Sequence, residues 1–313
     1  MLKFLFFAIH VLVPLLLILW LFWQPHRNKV ELALHLAFTA STTLFIFFWG
    51  QWPMVGSYAL RFVPPVLFVA AAIRSTRRFA SVAPASGRRI SSLIRSGIFV
   101  LFALLFGMLD IFAIRGHFLP GQPVKLDFPL KNGTYYVSSG GVSGVLNVHS
   151  KSPYPGMRYA IDLNRLGRFG QSSNGLFPSE PGRHLIFEQK VTSPCSGVVA
   201  IAQDGAEDHP AGFLEPGVER TPANRVAIEC QDVTVFLTHL KNGSVSVREG
   251  ETVAEGQLVG RVGNSGFSEE PHLHVQAVRN AKADPSEWVP VPMTFSGRFL
   301  VKNSLVRSGL PPV

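Results

Sequence analysis

Four apolar runs crowd into the first 115 residues of this chain, and none follows them. Residues 4–23, 30–49, 58–73 and 98–114 each approach the ~20 residues a helix needs to cross a bilayer. The first is interrupted by His10 and Pro14, the third carries Arg61 and the Pro64-Pro65 pair, and the fourth holds Asp110 as its one charge. A cleaved signal peptide has a shorter apolar core, of about 7–15 residues, followed by small residues at a cleavage site. The first run has neither, so it is expected to be a retained span. The predicted organisation is therefore a membrane region of about four transmembrane helices over residues 1–115, with everything else outside the bilayer.

Charge divides the chain at the same place. Up to Arg115 there are eleven Lys or Arg against Glu31 and Asp110; the remaining 18 basic and 18 acidic residues balance. The pI near 9.9 thus belongs to membrane flanks, not to a basic face of a folded domain, and nucleic acid is excluded as the expected partner. Arg74, Arg77, Arg78, Arg88, Arg89 and Arg95 fill one acid-free loop, and Arg27 and Lys29 lie in the loop two spans earlier. The positive-inside rule puts both loops in the cytoplasm, and with four spans the region after Arg115 lies outside the cell membrane.

Beyond residue 126 the texture becomes short Val- and Ile-rich runs punctuated by Gly, Pro, Asn and Asp, the pattern of antiparallel β structure. Strands are expected at 142–148, 158–164, 197–202, 225–230, 234–240, 258–262 and 272–278, an all-β soluble domain behind an α-helical membrane region. The Gly-, Ser- and Pro-rich stretch 165–188 reads either as a loop lining a groove or as a disordered insertion. Cys195 and Cys230 lack zinc-type spacing and are either a disulfide or two buried thiols.

His272-Leu273-His274 carries the chemistry. On a strand these two histidines share a face, which suits one metal-centred site as well as a merely polar surface. Asp162 sits in the apolar run Tyr159-Ala160-Ile161-Asp162-Leu163, where a carboxylate is costly to bury without a partner or a cation. His239 ends another apolar run. His117, His184 and His209 read as surface residues, and His10, His26 and His35 as packing or interfacial residues of the membrane half.

The order Asp162, His239, His272, His274 resembles the lysostaphin and LytM-type zinc endopeptidases, which cut peptidoglycan cross-links. Matching blocks are Ser193-Pro194-Cys195-Ser196-Gly197, His239-Leu240-Lys241-Asn242-Gly243, Val247 to Gly260, and Gly263-Asn264-Ser265-Gly266 running into Pro271-His272-Leu273-His274. The resemblance implies a barrel-sandwich-like antiparallel core over residues 145–290, with 116–144 as a connector and 291–313 as a C-terminal extension. It implies Zn2+ as cofactor, Asp162 and His274 as ligands, and His239 and His272 as the unligated catalytic pair. The expected protein is an integral membrane zinc metalloendopeptidase of a bacterial cell membrane, its catalytic domain extracytoplasmic and its substrate a peptidoglycan peptide.

One position departs from the family's pattern. The first ligand is a histidine four residues before the aspartate, and Arg158, which stays protonated and cannot bind zinc, stands there. Either the loop 150–157 folds back so that His149 supplies the missing nitrogen, or only two protein ligands remain. The second case gives a non-catalytic domain of the same type that binds wall peptides or activates another hydrolase. A biotin- or lipoyl-type carrier shares the hairpin rhythm of 253–260 but needs a lysine at a tight turn, and none lies between Lys241 and Lys282.

Overall fold

A computed structural model of the chain describes residues 2–81, 89–212 and 222–309. Two units form, Met1–Ile114 and Arg115–Val313.

Among the described residues, the first unit contains four helices long and apolar enough to cross a membrane, Leu5–Trp23, Lys29–Trp49, Tyr58–Ala80 and Leu93–Arg115. Pro14 cannot donate to the helix ladder and its ring crowds the preceding turn; the first helix absorbs this with a wider π turn at Ala8–Leu12. Asn28 starts the second by accepting from the Glu31 N–H. Pro64 and Pro65 lie in the first turn of Val63–Ser81, where a missing N–H costs nothing. Ile18, Leu21 and Ala71 make the apolar contact between helices. His35 is buried against Phe99, ring centroids 4.3 Å apart, and His10 stacks on Phe6. Glu31 pairs with Arg95 at 2.5 Å.

The second unit is β structure. Its strands are β1 (Val124–Leu126), β2 (Gly133–Ser139), β3 (Ile161–Leu166), β4 (Lys190–Thr192), β5 (Gly197–Gln203), β6 (Arg225–Cys230), β7 (Val233–Thr238), β8 (Thr252–Val253), β9 (Leu258–Arg261), β10 (Leu273–Arg279), β11 (Val289–Val291), β12 (Met293–Phe295), β13 (Arg298–Phe299) and β14 (Leu305–Ser308). The main sheet runs β14-β2-β3-β10-β7-β6-β5-β8, with β11 paired to one end of β10. Every neighbouring pair in it is antiparallel.

Alternation along the strands sets the two faces. Ile161, Leu163, Val235, Leu237, Leu273 and Val275 enter one continuous core, and the intervening Asp162, His274 and Gln276 take the other face. Cys195 and Cys230 form a disulfide, Cα atoms 6.0 Å apart, which ties the lead-in of β5 to the end of β6.

Several sequence expectations change. The segment 142–148 is not a strand: its backbone turns, and Leu146 and Asn147 bond back to Ser143. The sheet also reaches beyond 145–290, because β2 lies in the expected connector and β14 in the expected extension, and they pair with each other. The stretch 165–188 is ordered by Gly167–Gln171, Asn174–Arg183 and Leu185–Ser172 backbone bonds and by the buried Ile186. His184 is buried, bonded to the Pro178 carbonyl, not a surface residue.

Candidate metal centre

The centre of the polar face is built by register. His274 of β10 lies opposite Asp162 of β3 on one side and Thr238 of β7 on the other. His274 Nδ1 is 3.0 Å from Asp162 Oδ1. Its other nitrogen, Nε2, is 3.0 Å from Gln276 Oε1. An amide oxygen accepts, so the tautomer protonated on Nε2 donates to Gln276 and turns its Nδ1 lone pair to the carboxylate. In that tautomer the imidazole and the carboxylate can share a cation.

His149 reaches the same carboxylate from the loop. Its Nε2 is 2.7 Å from Asp162 Oδ2, and its ring lies 4.7 Å from that of His274. Fully buried Asn147 aims it. The Asn147 side-chain oxygen accepts from the His149 N–H, and its amide donates to the carbonyls of Gly141, Arg158 and Ala160. Arg158 is held by that backbone contact in the turn before β3, and its exposed side chain lies over the Tyr159 ring, 5.7 Å from the centroid. The expected strand start at 158 therefore moves to Ile161, because the Pro155–Met157 turn precedes it.

His239 and His272 also border His274, their rings 4.7 Å apart. Each spends Nδ1 on a carbonyl: His239 on Ser265, His272 on Glu270, both at 2.8 Å. That leaves the proton on Nδ1 and the Nε2 lone pair free to accept. His272 Nε2 is 3.5 Å from Asp162 Oδ1. His239 holds a left-handed backbone (φ 65°), a conformation a β-carbon disfavours. The buried Asn224 and Ser265 fix it by bonding the Leu240 carbonyl.

The donor atoms of His149, Asp162 and His274 lie within 4.8 Å of one another, as do those of His239, His272 and His274. A carboxylate with two imidazoles matches the nitrogen and oxygen ligand set that zinc takes. Burial resists charge on Asp162, but His149 and His272 outweigh it and hold the carboxyl well below its ordinary range. Burial also opposes protonation of His149, yet the facing carboxylate raises it. For His239 burial dominates and the neighbouring imidazoles add to it, keeping it well below 6.5; His272 is lowered chiefly by burial, against the pull of Asp162.

Residues 182–285 match peptidase family M23. The match covers about a third of the chain and supports a peptidase-type domain there. The match and the antiparallel sheet support the LytM-type domain that the motifs resemble. The match takes in His239, His272 and His274; Asp162 and His149 precede it. Among solved structures, the chain is similar to a zinc-containing peptidase from Vibrio cholerae, with 18% identity, TM-score 0.31, and coverage of 53% of this chain and 40% of that one. It is also similar to the catalytic domain of lysostaphin from Staphylococcus simulans, with 20% identity, TM-score 0.23, and coverage of 38% and 84%. The chain thus spans two fifths of the length of the Vibrio protein.

Around this cluster lie groups that the sequence alone did not single out. Gln276 was legible: it continues the same-face row His272, His274, Gln276. Tyr136 on β2 is fully buried with its hydroxyl unpartnered; burial, Glu270 and Asp162 push it well above 10. Lys302 is buried, donates to the Ser138 carbonyl at 2.7 Å, and is lowered to about 8 by burial against Asp162 and Glu270. Glu270 is raised to about 7, first by burial, and its carboxyl is 3.7 Å from His184 Nδ1.

Proposed function

We propose that the protein is a membrane-anchored zinc metalloendopeptidase hydrolysing peptide bonds of peptidoglycan on the extracytoplasmic side of the cell membrane. The observation that carries this reading is the convergence of His149 and His274 on one carboxylate, Asp162, beside two imidazoles whose lone pairs are kept free. In it, His149 Nε2, Asp162 and His274 Nδ1 are the zinc ligands. Bound zinc would supply a water of pKa lowered towards about 7 and polarisation of the scissile carbonyl.

The remaining work falls to His239 and His272. Their Nε2 atoms orient the attacking water and accept its proton, and the protonated imidazole then donates to the leaving amine. Low proton affinity keeps both ready as bases at neutral pH. The 3.5 Å approach of His272 to Asp162 lets the carboxylate stabilise the imidazolium while it exists.

The four apolar helices, the basic loops between them, and a disulfide in the other unit support the anchored, extracytoplasmic assignment. The deciding experiment uses the full chain in detergent. About one zinc per chain, as a three-ligand site holds, and release of wall peptides are expected, and His274→Ala abolishes both. A wild-type protein that stays metal-free and non-lytic at every zinc concentration overturns the reading.

A further inference from the structure

The first unit contains a basic groove that plays no part in peptide hydrolysis. It is open, about 1110 Å³ in volume, and lined by Phe22, Ala70, Ile73, Arg74, Arg77 and Arg78. Three guanidinium groups therefore line one groove whose described walls contain no acidic side chain. Its position is fixed by two contacts. Arg78 donates from Nη1 to the Trp23 carbonyl at 2.9 Å, at the carboxyl end of the first long helix. The Arg74 guanidinium lies over the Phe22 ring, 4.3 Å from its centroid. Glu31, the acid of the neighbouring helix, is already bonded to Arg95 and the Arg27 N–H.

The other walls are apolar, and the same helices carry exposed Leu19, Val66 and Val69. Guanidinium groups bind phosphate by paired N–H donors. An apolar floor leading onto outward-facing Leu and Val suits hydrocarbon, not a hydrated ion.

We propose that this groove is a binding site for an anionic phospholipid, its phosphate on Arg74, Arg77 and Arg78 and its acyl chains along Phe22, Ala70 and Ile73. The inference rests on reading the four helices as membrane spans. It does not depend on the metal centre.

The test incorporates the full chain into nanodiscs and measures co-purifying lipid by native mass spectrometry. Insertion into phosphatidylcholine discs checks the span reading by itself. In mixed discs, phosphatidylglycerol is expected to be retained over phosphatidylcholine, and Arg74→Gln/Arg77→Gln to lose about thirtyfold in that preference, at roughly a factor of five per removed charge. Arg77→Gln alone, an exposed position, gives a smaller loss if the double variant folds poorly, and Arg74→Lys/Arg77→Lys retains most binding. Equal retention of the two lipids, an unchanged Arg77→Gln protein, or displacement of the lipid by millimolar inorganic phosphate overturns the proposal.

Discussion

His149 Nε2 and Asp162 Oδ2 lie 2.7 Å apart although one residue is on a short turn and the other on a strand. The link is made by Asn147, whose amide gathers the carbonyls on both sides of the turn. If His149 is the third ligand, His149→Ala lowers zinc affinity by more than about hundredfold, a larger loss than outer contacts give. Arg158→Ala, outside the cluster, leaves affinity within about twofold of wild type by the same scale. Competition titration with a chromophoric chelator reads both. A zinc affinity indifferent to His149 would leave the site with two protein ligands.

Gln276 Oε1 lies 3.0 Å from His274 Nε2 and, as an acceptor, favours the tautomer protonated there. Gln276→Leu keeps the volume and removes the acceptor, so both ring nitrogens compete for the proton. Zinc affinity is expected to fall about 10- to 100-fold, and Gln276→Glu to retain it. Equal affinities for Leu and Glu at 276 would show that the acceptor does not matter.

Several strands of the main sheet were readable because they are short Val- and Ile-rich runs bounded by turn residues. The expected 225–230 is β6 residue for residue, and 272–278 is displaced from β10 by one. The failures were of a different kind. Residues 133–139 read Gly-Thr-Tyr-Tyr-Val-Ser-Ser, and their pairing with β14 depends on residues more than 160 positions away, which no local period reports. Lys302 and Tyr136 approach Asp162 for the same reason. His149 was nameable only as a substitute for the ligand absent at Arg158; the turn that delivers it is set by Asn147, a residue with no distinguishing neighbours.

Hydrolysis should respond to pH through His239 and His272. Both have proton affinities below the ordinary histidine value, so the active, neutral forms persist as pH falls through 6.5. The acid limb of the pH–rate profile for kcat/KM is expected below 6.5, and His272→Ala should lower the plateau by 10²–10⁴-fold, the range for a positioned acid–base group. An acid limb centred above 6.5 would assign the proton transfer to another group.

The Cys195–Cys230 bridge closes a 35-residue separation that includes the β5–β6 hairpin. Loop-closure entropy for that span is about 4 kcal/mol, and native disulfides typically contribute 2–4. Cys195→Ser/Cys230→Ser should therefore lower denaturant stability of the second unit by roughly 2–4 kcal/mol, while zinc content is unchanged because neither sulfur touches the cluster. Loss of metal together with the bridge would mean that β5 and β6 help hold the site.

Glu270 offers a stability test with a defined sign. Its carboxyl titrates at about 7 in the fold against 4.5 ordinarily, because burial, Glu269 and Asp162 disfavour the anion more than Lys302 favours it. Between those values the folded chain keeps a proton that the unfolded chain has released, so this group costs stability as pH rises from about 4.5 to 7. Glu270→Gln removes the cost and retains the size of the side chain. The variant should gain on the metal-free wild type with rising pH, by on the order of 3 kcal/mol at most by pH 8, read as the difference between two urea-unfolding series. The His272 contact should survive, since it uses the backbone carbonyl of residue 270. A stability difference that stays flat from pH 5 to 8 would mean that Glu270 ionises at its ordinary value, with Lys302 neutralising it in full.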